Sequence, residues 1–562
     1  MAETYEVTMA FADELAAHGM QHVCISPGSR STPLALAFAR HPDIQHSIHH
    51  DERSSAFFAL GIAKTTRLPV AIITTSGTAA AELHPAIVEA RFGRVPLLAL
   101  TADRPPDLRG TGANQTIDQI NLFGTSAKWF QDAPLAAITD APHARAMAAR
   151  AWAEALTAPC GPVHINFPFE EPLIPGEMPA DIAAMGPART WAAPGHIPDE
   201  AAIRSLSDLV ATKRGILLAG PQSDPTAVGS IIDLARATGL PILADPLSGL
   251  RTGSHDSDHV VAHYDALAQA GFLDECSPEA AIRFGALPIS KTLNSWLAAH
   301  PEVAYAVVDD TGWPDPGGTA RTVLQASPAA VAGNLAKLVT EPTDEAWLGA
   351  WRRADDTAAQ ALRAPFDEFS ELDAIATLLE TVPDPATIWV ASSMPVRQVD
   401  LLLGRSGRRL RLFANRGASG IDGFLSAGIG SAAVDDGPTF LVAGDLSALY
   451  DLTALGWAGR HQVDITIVVI NNDGGGIFHL LAQAPLPEFE ELFGTPHGLD
   501  FAAAASLFGL RYTRAHDRAD LAAALSQPPT GPQLVEVQFE RSASAAAYRS
   551  AVDRVVRALA AR

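Results

Sequence analysis

Short apolar runs alternate with amphipathic helical stretches through most of the chain, and this alternation limits the fold more than any other feature of the sequence. Strands that alternate with helices form doubly wound parallel sheets with helices on both faces. In the N-terminal third, the predicted elements are strand His22–Ser26, helices Pro33–His41 and Asp51–Thr65, strand Val70–Thr75, helix Thr78–Phe92, and strands Pro96–Thr101 and Val163–Phe167. The pattern therefore predicts an α/β fold.

Two further blocks of the same kind follow. The second has predicted strands at Gly215–Ala219, Pro241–Ala244, Ala281–Phe284 and Val303–Val308, and the third at Thr387–Ala391, Leu410–Phe413, Thr439–Val442, Asp464–Ile470 and Gln533–Gln538. The segment Glu171–Glu200, rich in Pro, Gly and Ala, is typical of a linker. A chain of 562 residues also exceeds the roughly 250–300 at which single cores stop growing. We therefore predict three doubly wound α/β domains, at 1–185, 186–345 and 346–562, whose kinship would be structural because no short-period repeat is visible.

Charge and hydropathy exclude several classes of protein. The net charge of −23 opposes binding to nucleic acid or to an anionic membrane surface. The longest apolar strings are strand-sized, far below the ~18 residues of a membrane helix, and the acidic N-terminus does not resemble an export signal. Cys24, Cys160 and Cys276 lie far apart and are predicted to be free thiols. We expect a cytoplasmic protein without a membrane span.

Polar residues follow two consecutive predicted strands of the third block. Gly444-Asp445 ends one strand and Asn471-Asn472 ends the next. Because parallel strands end at the same edge of a sheet, Asp445 and Asn472 can converge where ligands bind. A carboxylate, an amide oxygen and a backbone carbonyl suit Mg²⁺ that also holds phosphate oxygens. Either fragment alone could equally be an ordinary turn, but the pair at this spacing favours a diphosphate site.

This pair resembles the signature of the thiamine-diphosphate-dependent enzymes, although Leu446 stands where most of them have a second glycine. Seven ordered segments together resemble one family within that group, the 2-succinyl-5-enolpyruvyl-6-hydroxy-3-cyclohexene-1-carboxylate synthases of menaquinone biosynthesis. These segments are 26–33, 51–53, 75–79, 101–106, 112–115, 415–423 and 444–452.

The resemblance implies a transferase with a pyrimidine-binding first domain, a central domain and a diphosphate-binding third domain. In that family, thiamine diphosphate with Mg²⁺ or Mn²⁺ decarboxylates 2-oxoglutarate, and the resulting succinyl carbanion adds to isochorismate. The cofactor lies between the first domain of one subunit and the third of another, which implies a homodimer or homotetramer.

The resemblance also assigns residues to the cofactor. Glu52 is matched to N1′ of the aminopyrimidine, where a carboxyl group performs acid–base work through the cofactor. Its alternative role is that of an acid in the first turn of a helix. The other cofactor residues implied are Ser76, Gly77, Ser393, Met394, Ile421, Asp445, Leu446, Ser447, Asn472, Gly474, Gly475, Ile477 and Phe478, and the metal ligands are Asp445, Asn472 and Gly474.

Both substrates are dianions, so an acidic chain must build a local cationic pocket. Arginine forks suit carboxylates, although any single arginine could instead form a surface ion pair. The resemblance implies the substrate residues Ser29, Arg30, Arg104, Asn114, Gln115, Lys291, Ser393, Arg397 and Arg416, with Arg397 and Arg416 also catalytic. We expect Arg397 and Arg416 to hold the donor, and Arg30 and Arg104 to hold isochorismate.

Other features are interpreted as structural. The glycine-rich segment Gly428–Ala433 lies inside a helical pattern, so it does not predict a dinucleotide site. His46, His49 and His50 lack partners at ligand spacing, and the tail Ser542–Arg562 is typical of a packing helix. Two rival interpretations remain: another carboligase or decarboxylase of 2-oxoacids on the same fold, and a non-catalytic subunit.

Overall fold

Three all-parallel, six-stranded sheets form the framework of the computed structural model, which describes residues 2–174, 189–191, 198, 200–222, 224–364 and 368–561. Each sheet occupies one third of the chain and is flanked by helices. The predicted fold class is confirmed. The predicted boundary near residue 185 and most of the predicted linker lie outside the described residues, and the three domain limits stay predictions.

The first sheet has the strand order β2-β1-β3-β4-β6-β5. Its strands are β1 (His22–Ile25), β2 (Gln45–Ile48), β3 (Val70–Thr74), β4 (Leu97–Asp103), β5 (Trp129–Asp132) and β6 (Val163–Pro168), and its helices are α1 (Ala2–Ala17), α2 (Thr32–Ala39), α3 (Glu52–Thr66), α4 (Thr78–Ala81), α5 (His84–Gly93) and α6 (Ala141–Leu156). The single helix predicted at Thr78–Phe92 is wrong, because it divides into α4 and α5. Pro85 lacks the N–H needed to continue a helix, and it is tolerated where it stands, in the first turn of α5.

The second sheet has the order β12-β11-β10-β7-β8-β9. Its strands are β7 (Gly215–Ala219), β8 (Ile242–Ala244), β9 (Val260–Val261), β10 (Ala280–Phe284), β11 (Ala304–Asp309) and β12 (Thr322–Gln325), and its helices are α7 (Glu200–Val210), α8 (Thr226–Thr238), α9 (Tyr264–Gln269), α10 (Phe272–Glu275), α11 (Lys291–Ala299), α12 (Pro328–Leu338) and α13 (Glu345–Arg363). This is the strand order of dinucleotide-binding domains, in which ligands enter between the first and fourth strands.

That crevice, between β7 and β10, is filled by the chain itself. A Cβ atom at Gly220 would lie 1.7 Å from the carbonyl oxygen of Ala286. The Gln222 side chain donates hydrogen bonds to the carbonyls of Gly220, at 2.7 Å, and Phe284, at 2.9 Å. The loops that follow β7 and β10 therefore contact each other across this crevice.

The third sheet has the order β14-β13-β15-β16-β18-β17, which repeats the order of the first. Its strands are β13 (Ala386–Val390), β14 (Leu410–Phe413), β15 (Thr439–Gly444), β16 (Ile465–Asn471), β17 (Arg511–Arg514) and β18 (Gln533–Gln538), and its helices are α14 (Glu371–Thr381), α15 (Met394–Leu402), α16 (Phe424–Ala432), α17 (Asp445–Tyr450), α18 (Ala454–His461), α19 (Phe501–Phe508), α20 (Arg518–Leu525) and α21 (Arg541–Ala560). The first and third domains are thus related in topology.

The sequence patterns missed five short strands, namely β2, β5, β9, β12 and β17. All five are edge strands: β2 and β5 are the two edges of the first sheet, β9 and β12 are the two edges of the second, and β17 is one edge of the third. Edge strands face solvent and need no continuous apolar run, and β2 reads Gln-His-Ser-Ile with its side chains largely exposed.

The first and third domains pack through α3 and α16, which cross at glycines. A Cβ atom at Gly61 would lie 1.8 Å from the carbonyl oxygen of Ala427, and one at Gly430 would lie 2.1 Å from that of Phe58. Only glycine allows two helix backbones to approach this closely. Gly428–Ala433 therefore serves helix packing, as interpreted from the sequence.

Buried apolar side chains of α13 and α21 join the core around the second sheet. Trp347 and Trp351 of α13 belong to this core together with Ala551 and Val555 of α21. The core thus continues across the predicted limit at 345/346, and α21 is the packing helix predicted for the tail.

No helix among the described residues is long and apolar enough to cross a membrane. Cys24, Cys160 and Cys276 are all unpaired. Cys24 is fully buried, and burial raises the pKa of its thiol.

Candidate active site at the carboxyl edges of the first and third sheets

The predicted residues of the first domain lie at the carboxyl edge of the first sheet. Ser29 and Arg30 follow β1, Glu52 follows β2, and Ser76 with Gly77 follows β3. Arg104, Asn114 and Gln115 follow β4. These four strands are neighbours in the sheet, so the topology gathers side chains that are up to 86 residues apart in sequence.

Glu52 is the first residue of α3. The helix is capped by Asp51, whose side chain accepts a hydrogen bond from the Ser54 backbone N–H at 3.1 Å. Capping therefore does not need the Glu52 carboxyl. Burial raises the pKa of that carboxyl, and the nearby acids Asp51 and Glu82 raise it further. A carboxyl group that holds its proton more readily than usual suits acid–base work.

Ser76 joins the loops that follow β3 and β4. Its hydroxyl donates to the carbonyl of Gln115 at 2.9 Å, and the Gln115 side chain donates back to the carbonyl of Ser76 at 3.0 Å. Arg104 also donates to the Ser76 hydroxyl. Gly77 has a φ of +84°, which favours glycine, and its N–H donates to the buried side chain of Gln119 at 3.0 Å. Ser76, Gly77, Arg104 and Gln115 thus form one cluster.

Arg30 adds a second guanidinium to this edge. It is buried and donates to the Phe169 carbonyl at 2.9 Å and to Glu171 at 3.1 Å. Burial lowers the pKa of Arg104, and the positive charge of Arg30 lowers it further. Two neighbouring guanidinium groups that disfavour each other's charge are stabilised by an anion. Asp103 and the largely exposed Glu171 act in the opposite direction on the pKa of Arg104, which is nevertheless lowered.

The predicted residues of the third domain lie at the corresponding edge of the third sheet. Ser393 and Met394 follow β13, and Arg416 and Ile421 follow β14. Asp445 to Ser447 follow β15, and Asn472 to Phe478 follow β16. These four strands occupy the same sheet positions as β1 to β4.

Asp445 is held by backbone N–H groups. One carboxylate oxygen accepts from Leu446 at 2.7 Å, and the other accepts from Asn472 at 3.1 Å and Gly474 at 2.8 Å. Asp445 is 2% exposed. The predicted convergence of Asp445 and Asn472 is therefore present, although they meet through the Asn472 backbone.

The Asn472 side chain leaves an oxygen available beside Asp445. Its Oδ1 atom is buried and has no hydrogen-bond partner among the described residues. Gly474 and Gly475 turn the chain tightly here, since a Cβ atom would lie 2.0 Å from the Gly494 carbonyl oxygen at Gly474 and 2.2 Å from that of Phe493 at Gly475. A buried orphan oxygen next to a carboxylate fits a hard divalent cation.

No group of three or more His, Cys, Asp or Glu side chains in the described part of the chain could hold a metal ion by itself. A site made of one carboxylate, one amide oxygen and one backbone carbonyl agrees with this result, because phosphate oxygens would complete its coordination.

His497 also contacts Asp445, and sequence reasoning missed it. Its Nδ1 atom accepts a hydrogen bond from the Leu499 N–H at 3.0 Å, so in the neutral ring the proton is on Nε2. Nε2 lies 3.2 Å from the Asp445 carboxylate and donates to it. His497 stands in an irregular loop 52 residues beyond Asp445, and no local signal marks it.

Ser393 has a strained backbone at the turn from β13 into α15. Its φ of +72° and ψ of −130° are unusual for a residue other than glycine. Such conformations cost of order 1–3 kcal/mol and concentrate at functional sites. The Ser393 carbonyl accepts a hydrogen bond from Arg397 at 2.5 Å.

Arg416 lies where all three domains meet. Burial lowers the pKa of its guanidinium, and the nearby Arg397 lowers it further. The negative charges of Asp245 in the second domain and Glu89 in the first domain raise the pKa of Arg416. Arg397 therefore lies close enough to Arg416 for the two positive charges to disfavour each other, and their role in binding a carboxylate stays a prediction.

Glu89 fixes the loop that carries Arg416. Its carboxylate accepts from three consecutive backbone N–H groups, those of Gly417 at 2.8 Å, Ala418 at 2.7 Å and Ser419 at 3.3 Å. Lys64 lies 3.7 Å from the same carboxylate and donates to the Ala414 carbonyl at 2.6 Å. A buried carboxylate from the first domain thus binds a loop of the third.

Lys291 is the first residue of α11 and is exposed. Within the described ranges, no hydrogen bond or ion pair joins it to the other predicted residues. Ser29 and Asn114 are likewise exposed at their sheet edge.

His49 belongs to an aromatic stack. Its ring lies 4.5 Å from that of Phe58 and 5.6 Å from that of Trp457, and burial lowers its pKa to about 3. This agrees with the structural role interpreted from the sequence.

Comparisons with known proteins agree with this geometry. The chain matches the N-terminal thiamine pyrophosphate binding domain of thiamine pyrophosphate enzymes at residues 5–122, their middle domain at 188–390, and their C-terminal binding domain at 403–537. The benzoylformate decarboxylase of Polynucleobacter necessarius shares the fold, with a TM-score of 0.72 and 18% identity over 96% of this chain and 99% of that one. Fold and site therefore define a thiamine-diphosphate-dependent enzyme.

Relatives of similar length identify the family within this class of enzymes. The 2-succinyl-5-enolpyruvyl-6-hydroxy-3-cyclohexene-1-carboxylate synthase of Geobacillus kaustophilus is 42% identical over 100% of this chain and 99% of its own length. The synthases of that name from Chloroflexus aurantiacus and Haloarcula marismortui are 43% and 41% identical over 98% and 97% of this chain, and over 96% and 97% of their own lengths. The chain belongs to this family of synthases, the thiamine-diphosphate-dependent carboligases of menaquinone biosynthesis, and the resemblance drawn from seven sequence segments is confirmed.

Proposed function

We propose that this chain decarboxylates 2-oxoglutarate and joins the remaining four-carbon unit to isochorismate by 1,4-addition, giving 2-succinyl-5-enolpyruvyl-6-hydroxy-3-cyclohexene-1-carboxylate and CO2. The observation that carries the proposal is the placement of four arginines at the two sheet edges, with Arg30 close enough to Arg104, and Arg397 to Arg416, for one positive charge to lower the pKa of the other. Each substrate brings two carboxylates, and a donor such as pyruvate has no distal carboxylate to hold. The pairs therefore favour 2-oxoglutarate over smaller 2-oxoacids.

Thiamine diphosphate supplies the carbanion chemistry when bound, and the protein supplies binding, orientation and proton placement. For the diphosphate we propose a divalent cation, Mg²⁺ or Mn²⁺, held by Asp445, the Oδ1 atom of Asn472 and the carbonyl of Gly474. Leu446, Ser447 and Gly475 would line the diphosphate, and Ser76, Gly77, Ser393, Met394, Ile421, Ile477 and Phe478 would surround the rest of the cofactor.

Glu52 would hold a proton at N1′ of the aminopyrimidine. Its raised pKa supports this role, because a carboxyl group that holds its proton more readily than usual suits general acid–base work.

The two arginine pairs would divide the substrates. Arg397 and Arg416, near the diphosphate site and the strained Ser393, would bind the donor and orient it for reaction. Arg30 and Arg104, with Ser29, Asn114 and Gln115, would bind isochorismate. Lys291 would be a further cation for the substrates, as the resemblance implies.

A homodimer, or a tetramer built from dimers, would complete the site. This is the arrangement that the family resemblance implies, in which the cofactor lies between the first domain of one subunit and the third domain of another. Three unpaired cysteines also suit the reducing cytoplasm, where we propose the enzyme works.

The test is to mix the purified chain with thiamine diphosphate, Mg²⁺, 2-oxoglutarate and isochorismate and to follow product by mass. A parallel reaction with pyruvate in place of 2-oxoglutarate is the control for donor choice. Product that forms with 2-oxoglutarate as the donor, and not with pyruvate, supports the proposal. Equal turnover of pyruvate would identify the rival carboligase instead, and the absence of any product would favour the non-catalytic subunit.

A further inference from the structure

The amide of Asn472 has one fixed orientation. Its Nδ2 atom donates a hydrogen bond of 2.7 Å to the Oε1 atom of Glu371. The two ends of an asparagine amide have nearly the same shape, so the choice between them depends on hydrogen-bond partners. A carboxylate only accepts, which means that the NH₂ end faces Glu371 and the oxygen faces away from it. That oxygen is the buried Oδ1 atom, which has no hydrogen-bond partner among the described residues, and the backbone N–H of the same residue donates to Asp445.

Glu371 contacts the side chains of Asn472, Gln398 and Ser544 and is not needed to cap its helix. It is 2% exposed at the first position of α14, yet that helix is capped by Ser370 and Asp373, which form a reciprocal capping box. The second oxygen of Glu371 accepts from the Gln398 side chain at 2.6 Å. Gln398 belongs to α15, the helix that begins after Ser393. A buried carboxylate thus orders two amides, one of which lies in the proposed metal site.

We propose that Glu371 is a positioning residue that holds Asn472 with its oxygen, and not its NH₂ group, directed at the divalent cation. This inference rests on the proposed metal site and adds a residue behind it. If Glu371 did not accept from Nδ2, the amide could turn over and direct two N–H donors at the cation. Partners of this kind behind metal ligands typically change metal affinity ~10–100-fold.

Three variants separate orientation from charge. Glu371→Met removes both the charge and the acceptor. Glu371→Gln removes only the charge, because its oxygen can still accept from Asn472 while its NH₂ group faces Gln398. Gln398 can turn to meet it, since its Oε1 atom has no partner in the described structure. Glu380→Gln, at an exposed position of the same helix, is the matched control.

The measurement is calorimetric titration of Mg²⁺ into cofactor-free protein mixed with thiamine diphosphate, with the melting temperature recorded for each variant. We expect ~10–100-fold weaker Mg²⁺ binding for Glu371→Met, and values within about threefold of the parent for Glu371→Gln and Glu380→Gln. Equal losses in the Met and Gln variants would mean that charge matters and orientation does not, which overturns the inference. A Glu371→Met variant that binds Mg²⁺ within threefold of the parent affinity would also overturn the inference.

If Glu371→Met does not fold, Glu371→Gln decides alone, because a loss above tenfold in that variant contradicts the orientation argument and a value within threefold supports it. Failure of the proposed metal site gives a different result, since the parent protein would then bind thiamine diphosphate equally well with and without Mg²⁺.

Discussion

Replacing Glu89 by glutamine tests whether the first domain fixes the donor pocket of the third. The carboxylate accepts from the backbone N–H groups of Gly417, Ala418 and Ser419, all from the loop that carries Arg416. Glutamine keeps the shape but has only one oxygen, so its NH₂ group must face at least one of these N–H donors. Hydrogen bonds to charged groups contribute about 1.5–3 kcal/mol each.

Loss of one such bond predicts a rise of roughly one to two orders of magnitude in the KM for 2-oxoglutarate. Lys64 adds to the effect, because burial already lowers its pKa and Glu89 is the carboxylate that opposes this shift. The melting temperature should also fall, by about 2–4 °C for each kcal/mol of lost unfolding free energy in a large domain.

The assay is steady-state kinetics with each substrate varied in turn, together with thermal melting. Glu6→Gln, on the exposed face of α1, is the control. The KM for isochorismate should change less than that for 2-oxoglutarate, because the loop lies in the third domain. If the KM for 2-oxoglutarate and the melting temperature both match the parent, the loop does not depend on Glu89 and the reasoning is refuted.

Five other substitutions test the remaining groups. Glu52→Gln should bind thiamine diphosphate but lose ~10²–10⁴-fold in turnover, and a loss below threefold would exclude acid–base work at this position. Asp445→Ala should lose Mg²⁺-dependent retention of thiamine diphosphate in equilibrium dialysis, and unchanged retention would place the diphosphate elsewhere. In single-turnover experiments, Arg104→Ala should release CO2 from 2-oxoglutarate normally and fail to react with isochorismate, whereas Arg397→Ala should already release CO2 slowly. The opposite pattern would mean that Arg30 and Arg104 hold the donor and that Arg397 and Arg416 hold isochorismate. Burial raises the pKa of Asp451 to about 6 from its ordinary 3.8, so between these pH values the folded chain retains a proton that the unfolded chain has released. The free energy of unfolding should therefore fall as pH rises through that window. Urea denaturation at several pH values should find this slope reduced in Asp451→Asn.

The sequence predicted the inner strands well because they carry their own signal. Strands buried on both faces, such as β3 and β16, are continuous apolar runs. Edge strand β2 has no such run, and it could be found only from its pairing with β1. The break between α4 and α5 was visible in principle, since Pro85 stands within the pattern that predicted one helix.

The candidate site was predictable where a residue follows a buried strand. Asp445 and Asn472 were placed by strand ends and topology alone. Glu371 and His497 could not be found in this way, because one looks like an ordinary acid at a helix start and the other lies in a long irregular loop. Their contacts with Asn472 and Asp445 exist only after chain segments 101 and 52 residues apart have packed together.

The environment of Arg416 has a consequence for how this enzyme acquires its activity during folding. Its guanidinium belongs to the third domain, while the carboxylates that balance its charge come from Glu89 in the first domain and Asp245 in the second. Each domain can form its own sheet independently of this side chain. A molecule in which one domain is folded but wrongly docked would therefore have native secondary structure and an unbalanced, misplaced guanidinium. If Arg416 holds the donor as proposed, the site would be complete only once all three domains have docked correctly.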